Sequence, residues 1–330
     1  MQFKLFPLET LCGKDVIYAA GLLQKEQVVA IPTETVYGLA GNAMNEDVIR
    51  NIFKIKKRPL NNPLIIHVAN KEQARSLVED WPSWANDLTA SFWPGPLTVL
   101  LPKTTKVSGL LTAGSDRVAI RIPSHPMCLE LLNTLDFPLA APSANPFMYI
   151  SPTKAQHVYH QLQGTIPYIL DGGSCQSGLE STIIGEEKGR LVLYRLGVLD
   201  LKRIEQKVGS VEIKNTIGHS SLPVSAPGML KKHYSPGTPM KLTSNFMEEL
   251  RKQREKKIGF LCWKKYEMLA DFGPCVMLSG DEDLEEAARN LYAGLYELDQ
   301  MGLDLILAET VPDEGAGIAI NDRLRRAAVL

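Results

Sequence analysis

The chain has 330 residues, of which 45% are apolar and 22% are charged, and its formal net charge at pH 7 is −1. This length and composition allow one large and one small domain and exclude a mostly disordered chain, while the near-neutral charge limits any RNA contact to a local or indirect one. Five cysteines without a C-x-x-C spacing, and the lack of an apolar run of eighteen residues, favour a cytoplasmic protein with no disulfide framework and no membrane span.

Helix-like and strand-like patterns alternate along the first two hundred residues, which predicts an α/β fold. The predicted helices cover residues 15–25, 45–58, 70–78, 126–135 and 151–163. The predicted strands cover residues 28–31, 63–68, 97–102, 117–123, 138–142, 167–171, 181–185 and 191–197. The last two of these strands are predicted to pair as a hairpin. Ser151 is a typical N-cap residue and is predicted to cap a helix that begins at Pro152.

The pattern breaks between residues 210 and 240, where four prolines interrupt a stretch without periodicity. Such a stretch is most often a linker, so we predict three parts, over residues 1–209, 210–240 and 241–330. In the last part, the sequence pattern predicts strands over residues 257–263, 274–280 and 304–310 and helices over residues 281–301 and 317–328. Its first strand is not followed by G-x-G-x-x-G, so a dinucleotide site there is poorly supported.

Short polar segments at strand ends carry the candidate chemistry, because open α/β sheets bind their ligands there. After the strand 28–31 come Thr33, Glu34, Thr35 and Tyr37, between a proline and a glycine. These residues fit a side-chain turn at a strand exit and a ligand-binding loop equally well. Four bases at positions 54, 56, 57 and 58 exceed what the helix dipole explains, so a cationic strap over phosphates is an alternative interpretation.

Alternation along the strand 117–123 places Arg117 and Arg121 on one face, roughly 13 Å apart, with a small alanine between them. Guanidinium groups suit carboxylates and phosphates, although two solvated arginines on an exposed face fit the same pattern. Ser143 and Asn145 flank another alanine, and residues 171–183 form a glycine- and serine-rich loop before a strand. That loop is either a connector or a set of backbone donors for an anion.

In this order, the segments resemble the threonylcarbamoyl-AMP synthase (YrdC-like) family, in its long form with an additional C-terminal domain. The resemblance covers nearly the whole chain and rests on PTETVYGL, the K-x-R-P of residues 56–59, PLIIHV, VAIRIP, PSAN, SPT, DGG, LESTI, APGMLKKHYSP and GIAINDRLRRAA. It implies a twisted open mixed sheet with a deep concave basic cavity, plus a smaller Rossmann-like α/β domain. One departure is the Phe147–Met148 pair, where family members often have Ser-Gly.

The resemblance also implies an activity. Such nucleotidyltransferases combine L-threonine, bicarbonate (or CO2) and ATP with Mg2+, and release threonylcarbamoyl-AMP and pyrophosphate. A tRNA threonylcarbamoyl-transfer machinery then uses the product, and direct contact with tRNA is implied to be weak or indirect. The alternative hypothesis is a non-catalytic RNA-binding module that uses the same basic face.

The resemblance assigns site residues by motif position. Its implied threonine contacts are Thr35, His67, Arg121, Ala141 (through its backbone) and Ser181. Its implied ATP contacts are Arg58, Asn62, Arg117, Ser143, Asn145, Ser151, Arg195 and Tyr234. Lys56 and Arg58 are implied to neutralise charge in the chemical step, with Arg121 as the partner of the threonine carboxylate. No residue is predicted to bind a metal directly, and the linker around Tyr234 is predicted to fold over the nucleotide.

Overall fold

The computed structural model describes residues 8–214, 232–253 and 255–329. Within these residues, the first part of the chain forms a mixed sheet of eleven strands and the last part forms a parallel sheet of four strands. This arrangement confirms the predicted mixed α/β fold with a second, smaller unit. The part of the linker at residues 215–231 lies outside the described residues.

The strands of the large sheet follow the alternating and buried apolar runs of the sequence. In chain order they are β1 (Leu11–Gly13), β2 (Val29–Ile31), β3 (Gly38–Asn42), β4 (Ile65–His67), β5 (Leu97–Pro102), β6 (Arg117–Arg121), β7 (Leu139–Ala140), β8 (Tyr168–Leu170), β9 (Thr182–Glu187), β10 (Arg190–Arg195) and β11 (Glu212–Ile213). Across the sheet their order is β1-β8-β2-β3-β7-β4-β6-β5-β9-β10-β11. The predicted hairpin is confirmed, since β9 and β10 pair in antiparallel fashion. The sheet extends to Ile213, beyond residue 209, the predicted end of the first part.

Helices pack against this sheet through their apolar stripes. They are α1 (Val16–Gln24), α2 (Glu46–Lys56), α3 (Lys71–Arg75), α4 (Ser83–Phe92), α5 (Pro126–Thr134), α6 (Ala155–Leu162) and α7 (Leu201–Val208). In α2, the Asn45 side chain accepts hydrogen bonds from the first turn, and Lys57 ends the helix in the left-handed conformation with φ 53°. This C-terminus fixes where the chain turns, and so it places Lys56 against the segment after β7 and Arg58 against the residues that lead into β4.

The second unit contains β12 (Met240–Leu242), α8 (Phe246–Lys252), β13 (Ile258–Cys262), a 3-10 turn (Glu267–Asp271), β14 (Cys275–Met277), α9 (Leu284–Asp299), β15 (Leu305–Ala308) and α10 (Ala316–Ala327). Its core also includes Val36, Ile150 and Leu179 from the first unit. Gly178 lies so close to α9 that an added Cβ would be 2.4 Å from the Cα atom of Arg289. The two units therefore share one apolar interface.

The structure differs from the predicted elements in two instructive places. Strand β3 contains Gly38 and Gly41, and these glycines give the sequence no β pattern. Glycine is required at Gly41 because an added Cβ would lie 2.5 Å from the Val48 side chain. The predicted cap at Ser151 is wrong: α6 begins at Ala155, and the carbonyl of Pro152 instead accepts from the Tyr37 backbone. Over the described ranges, no helix is both long and apolar enough to cross a membrane.

Candidate functional site

One cavity of about 580 Å³, part of it open to solvent, lies where several strands of the large sheet end. Its wall combines the turn after β2, the loop after α2, the ends of β4, β6 and β10, the segment after β7, the entry to β9 and two residues of the linker. The side chains and backbone groups that line it belong to Thr33, Thr35, Val36, Gly38, Arg58, Pro63, Leu64, Ile65, His67, Arg121, Ala141, Pro142, Ser143, Glu180, Ser181, Arg195, His233 and Tyr234. Ligand sites at strand ends are common in α/β proteins.

The turn after β2 is built around Thr33. Its hydroxyl accepts from the backbone N–H groups of Thr35 and Val36 at 3.2 Å and donates to the Val36 carbonyl at 2.5 Å. The side-chain turn that the sequence offered as one alternative is therefore confirmed, and the same segment lines the cavity. The turn holds the Thr35 hydroxyl at the cavity wall.

Arg121, at the end of β6, is fixed on three sides. Nη1 donates to the Thr35 hydroxyl at 2.9 Å, Nε donates to the Gly95 carbonyl at 3.2 Å, and Nη2 lies 2.6 Å from Oε1 of Glu34. The Nη2 contact is a close charge contact without hydrogen-bond geometry. Both charged side chains are 5% exposed or less, so the pair is desolvated and its alignment is set by the turn. The interpretation of Arg121 as a solvated surface residue is wrong.

His67, at the end of β4, faces the same cavity with Nδ1 buried and without a hydrogen-bond partner among the described residues. Burial, together with the nearby charges of Arg121 and Arg195, lowers the pKa of His67 to about 3. The imidazole is therefore neutral at physiological pH and offers an unpaired nitrogen to a ligand.

We expect His67 to make the free energy of unfolding depend on pH. Its folded pKa lies below the unfolded value near 6.5, so its stabilising contribution is present above pH 6.5 and is lost as the pH falls towards 3. Between pH 7 and pH 5 this loss amounts to about 2 kcal/mol. Urea unfolding at the two pH values should show a drop that is smaller by that amount in His67→Gln than in the parent. Identical pH dependence in both proteins would contradict the assignment.

Three further cations are buried at the cavity wall or directly behind it. Arg58 donates to the carbonyl and side chain of Asn62, Arg195 donates to the carbonyl and hydroxyl of Ser181 at 3.0 and 2.9 Å, and Lys56 donates to the Asn145 carbonyl at 2.5 Å. Burial lowers the pKa of Arg58 to about 9 and also lowers the pKa values of Lys56 and Arg195.

All the partners of these three cations are neutral. Within the part of the chain that the structure describes, no carboxylate lies within ion-pair distance of Lys56, Arg58 or Arg195. Buried cations without a counter-ion are unstable unless an anion joins them. The part of the cavity next to these cations is therefore suited to bind a negatively charged ligand.

Nine of the residues assigned by motif position meet at the cavity wall, and five lie outside it. Lys56 lies behind the wall, where its ammonium group also donates to the carbonyl of Ser143. Asn62 holds the guanidinium of Arg58, and Asn145 holds the loop through the carbonyls of Pro146 and Tyr149. The two others are Ser151 and Arg117.

Ser151 and Arg117 lie in places that the sequence did not indicate. Ser151 is fully buried and donates to Glu180 at 2.7 Å, because the segment before α6 runs extended instead of starting the helix. Arg117, at the other end of β6, donates to the Tyr194 hydroxyl at 3.0 Å and does not line this cavity.

Sequence reasoning named Glu34 only as one member of a polar segment and gave no site role to Glu180 or His233. His233 precedes Tyr234 in the linker, and burial, followed by the charges of Arg58 and Lys56, lowers its pKa well below the ordinary value. Glu180 stood within the quoted LESTI motif, but its partners Tyr292 and Arg323 lie more than a hundred residues away and leave no local signal. The described residues contain no cluster of three His, Cys, Asp or Glu side chains that could hold a metal ion.

Gly197 gives a direct test of how tightly the wall is packed. An added Cβ would lie 2.3 Å from the backbone nitrogen of Thr182 and 2.5 Å from the carbonyl oxygen of Glu180. We expect Gly197→Ala to lower the free energy of unfolding by about 1–3 kcal/mol. Gly21→Ala, in α1 with open space around it, should be neutral or stabilising by up to about 1 kcal/mol. Urea unfolding measures both, and equal effects would contradict the close packing.

Comparison with known proteins places the chain among relatives. A Sua5/YciO/YrdC family model described as "Telomere recombination" matches residues 21–197, and a model described as "Threonylcarbamoyl-AMP synthase, C-terminal domain" matches residues 199–329. The chain is 41% identical to the threonylcarbamoyl-AMP synthase of Pyrococcus abyssi over 320 residues, which cover 94% of this chain and 92% of that protein. It is 38% identical to the protein of the same name from Bacillus subtilis, with 95% and 92% covered.

A solved structure shares the fold. The crystal structure of Pyrococcus abyssi Sua5 complexed with L-threonine matches with a TM-score of 0.89 at 38% identity, covering 97% of each chain. The family models together cover the described units, and the similarity in sequence and fold extends over nearly the full length of both chains. The chain therefore belongs to the threonylcarbamoyl-AMP synthase family.

Proposed function

We propose that this chain is an L-threonylcarbamoyladenylate synthase, which forms threonylcarbamoyl-AMP and pyrophosphate from L-threonine, bicarbonate or CO2, and ATP. The observation that carries the proposal is a set of buried cations that form no ion pair among the described residues, Arg58, Arg195 and Lys56, at or behind the wall of a cavity also lined by the fixed guanidinium of Arg121. The names of the relatives and the threonine-bound structure of one of them support the same activity.

The cavity divides into two halves in this proposal. The threonine half consists of Thr35, His67, Arg121, the Ala141 backbone and Ser181, with Arg121 bound to the amino-acid carboxylate. The nucleotide half consists of Arg58, Ser143, Arg195 and Tyr234, supported from behind by Lys56, Asn62, Asn145 and Ser151. Arg117 is assigned to ATP by motif position alone. We further propose that this is the deep basic cavity expected of the family, and that the four-stranded parallel sheet is its Rossmann-like accessory unit.

The chemistry requires charge neutralisation more than an acid–base pair. The threonine amine adds to CO2 and loses a proton, which forms a carbamate, and a carbamate oxygen attacks the α-phosphorus of ATP while the bond to pyrophosphate breaks. Two unit negative charges at 4 Å repel by about 4 kcal/mol at an effective dielectric near 20. Arg58, Arg195 and Lys56 lie where they offset this repulsion.

Mg2+ enters this scheme as part of the ATP substrate. Glu180 lines the cavity and Glu34 lies beside Arg121, and each of these carboxylates is paired with an arginine, Glu34 at 2.6 Å to Arg121 and Glu180 at 3.0 Å to Arg323. Phosphate oxygens and water would therefore provide the ligands of the ion when ATP binds. The product passes to a tRNA threonylcarbamoyl-transfer machinery, which makes the chain a component of tRNA modification.

Threonine-dependent release of pyrophosphate tests the proposal. The full-length protein is incubated with ATP, Mg2+ and bicarbonate, with L-threonine or with L-serine, L-valine or no amino acid. We expect pyrophosphate and an adenylate product that contains the threonine carbon skeleton only when L-threonine is present. No threonine-dependent release, together with tight and salt-sensitive RNA binding, would support the RNA-binding module instead.

A further inference from the structure

Glu180 lies at the junction of the two units, and the second unit provides most of its partners. Tyr292 of α9 donates to Oε2 at 2.9 Å and Arg323 of α10 donates to Oε2 at 3.0 Å, while Ser151 donates to Oε1 at 2.7 Å. Burial opposes ionisation of this carboxyl group, but the charges of Arg323 and Arg195 hold its pKa below the usual value. Glu180 therefore contributes an ionised carboxylate to the cavity wall, and residues of α9 and α10 hold this carboxylate in place.

Arg323 contacts two more parts of the nucleotide half. Its Nη2 donates to the carbonyl of Leu196 at 2.6 Å, directly after Arg195 in the chain. Its guanidinium lies 4.9 Å above the ring centroid of Tyr234, which lines the cavity. One side chain, itself only 1% exposed, thus joins the entry to β9, the end of β10 and the linker.

We propose that Arg323 is a positioning residue for ATP binding, through which the C-terminal unit shapes the nucleotide half of a cavity that Arg323 does not itself line. This inference rests on the proposed function, because it assigns ATP to that half. It gives the C-terminal unit a role in the site beyond carrying the end of the linker.

Two physical effects favour positioning over simple stabilisation. Buried ion pairs are often replaceable by apolar groups without loss of stability, so the pair formed by Arg323 and Glu180 is weak evidence for a purely structural role. Without Arg323, the negative charge of Glu180 would be drawn towards Arg195, the neighbouring buried cation that lowers its pKa. Arg195 would then be neutralised by the protein instead of by phosphate. Arg323 therefore keeps Arg195 available for the ligand.

The test uses full-length variants that avoid an unpaired buried charge. Arg323→Met combined with Glu180→Gln removes both charges, and Arg323→Lys keeps the charge without the planar fork that reaches Glu180 and Leu196 together. The control is Arg325→Met, the same substitution two residues later on α10, where the side chain is 58% exposed. Circular dichroism and urea unfolding establish that each variant is folded.

We expect KM for ATP to rise about tenfold to a hundredfold in the double variant, because the Leu196 carbonyl and the Tyr234 ring lose the contacts with Arg323, and misplaced binding groups reduce affinity where they act. KM for threonine should change less than about threefold. Because Glu180→Gln removes the carboxylate charge that could neutralise Arg195, this rise measures the positioning contacts alone. Arg323→Lys should give an intermediate KM for ATP, and Arg325→Met should match the parent. Hydrogen exchange should increase in peptides covering residues 178–182 and 232–236 in the double variant and not in Arg325→Met.

An unchanged KM for ATP in folded double and lysine variants would overturn the proposal, and so would a fall in kcat or folded yield alone. Failure of the proposed function is recognised separately, because the parent would then release no threonine-dependent pyrophosphate. In that case hydrogen exchange and calorimetry with ATP still decide whether Arg323 positions the ATP-binding groups. Parent-like exchange in both peptides overturns the positioning role, and increased exchange with weakened ATP binding supports it.

Discussion

Replacing Arg121 by methionine in a chain that also carries Glu34→Gln is expected to weaken L-threonine binding by at least ~30-fold, or about 2 kcal/mol. Thr35, Gly95 and Glu34 hold the guanidinium in one fixed orientation. Its remaining N–H groups are therefore available to donate to a ligand carboxylate. ATP binding should stay within about threefold of the parent, because the nucleotide half relies on other cations. Isothermal calorimetry with each ligand measures both affinities.

The pairing of the two substitutions matters for this experiment. Arg121→Met alone leaves Glu34 as a buried, unpaired carboxylate, which costs about 3–5 kcal/mol and obscures any effect on binding. Glu34→Gln alone is the matched control, since glutamine has nearly the same shape, removes only the negative charge and leaves the cation of Arg121 in place. We expect the control to bind threonine nearly as the parent does. Parent-like threonine affinity in the double variant would remove Arg121 from the proposed site.

Much of the fold could be predicted because its signals are local. Alternation in β6 places Val118 and Ile120 in the main core while Ala119 packs in a separate cluster on the other side of the sheet. The Asn45 cap, the first-turn acids and the apolar stripe of α2 define that helix within a few residues. The hairpin of β9 and β10 follows from two short apolar runs separated by Glu186–Gly189.

The remaining elements depend on contacts that no local pattern records. Strand β3 contains Gly38 and Gly41, which disfavour a strand by propensity and are required by close neighbours: an added Cβ at Gly38 would lie 3.2 Å from the Cβ atom of Ala141. The segment before α6 has good helix-start chemistry, yet it is extended because Pro152 and Ser151 bond to Tyr37 and Glu180. Tertiary contacts override propensity in both places.

The candidate site, like the fold, was predicted in part: local motifs gave some of its residues, and packing between distant residues decided the rest. Motif order indicated most of the residues that gather at the cavity, but not which of them line it and which lie behind its wall. Lys56 and Asn62 carried the same weight in the motif as Arg58, whereas in the structure Arg58 lines the cavity and the other two lie behind it. Glu180 and Arg323 are 143 positions apart, so their contact depends on how the two units pack. The supporting layer of a site is set by packing, and a single sequence does not encode it locally.

Arg58→Met is expected to lower kcat/KM for ATP by at least about a hundredfold, which corresponds to about 2.7 kcal/mol. Arg58 is a buried cation whose partners in the described residues are the neutral Asn62 and Pro63, so its charge has no counter-ion before a phosphate arrives. Losing it weakens both ATP binding and the neutralisation that lets the carbamate approach the α-phosphorus. Steady-state pyrophosphate release over a range of ATP concentrations provides the measurement.

Arg58→Lys separates charge from geometry at this position. Lysine keeps the positive charge but cannot hold the Asn62 side chain and a phosphate oxygen in one planar fork. If neutralisation dominates, Arg58→Lys should recover most of the activity that methionine loses; if fixed geometry dominates, both variants should be similarly impaired. A folded Arg58→Met protein with parent-like kinetics would contradict both mechanisms. It would mean that the buried cations are not the groups that neutralise the two anionic reactants.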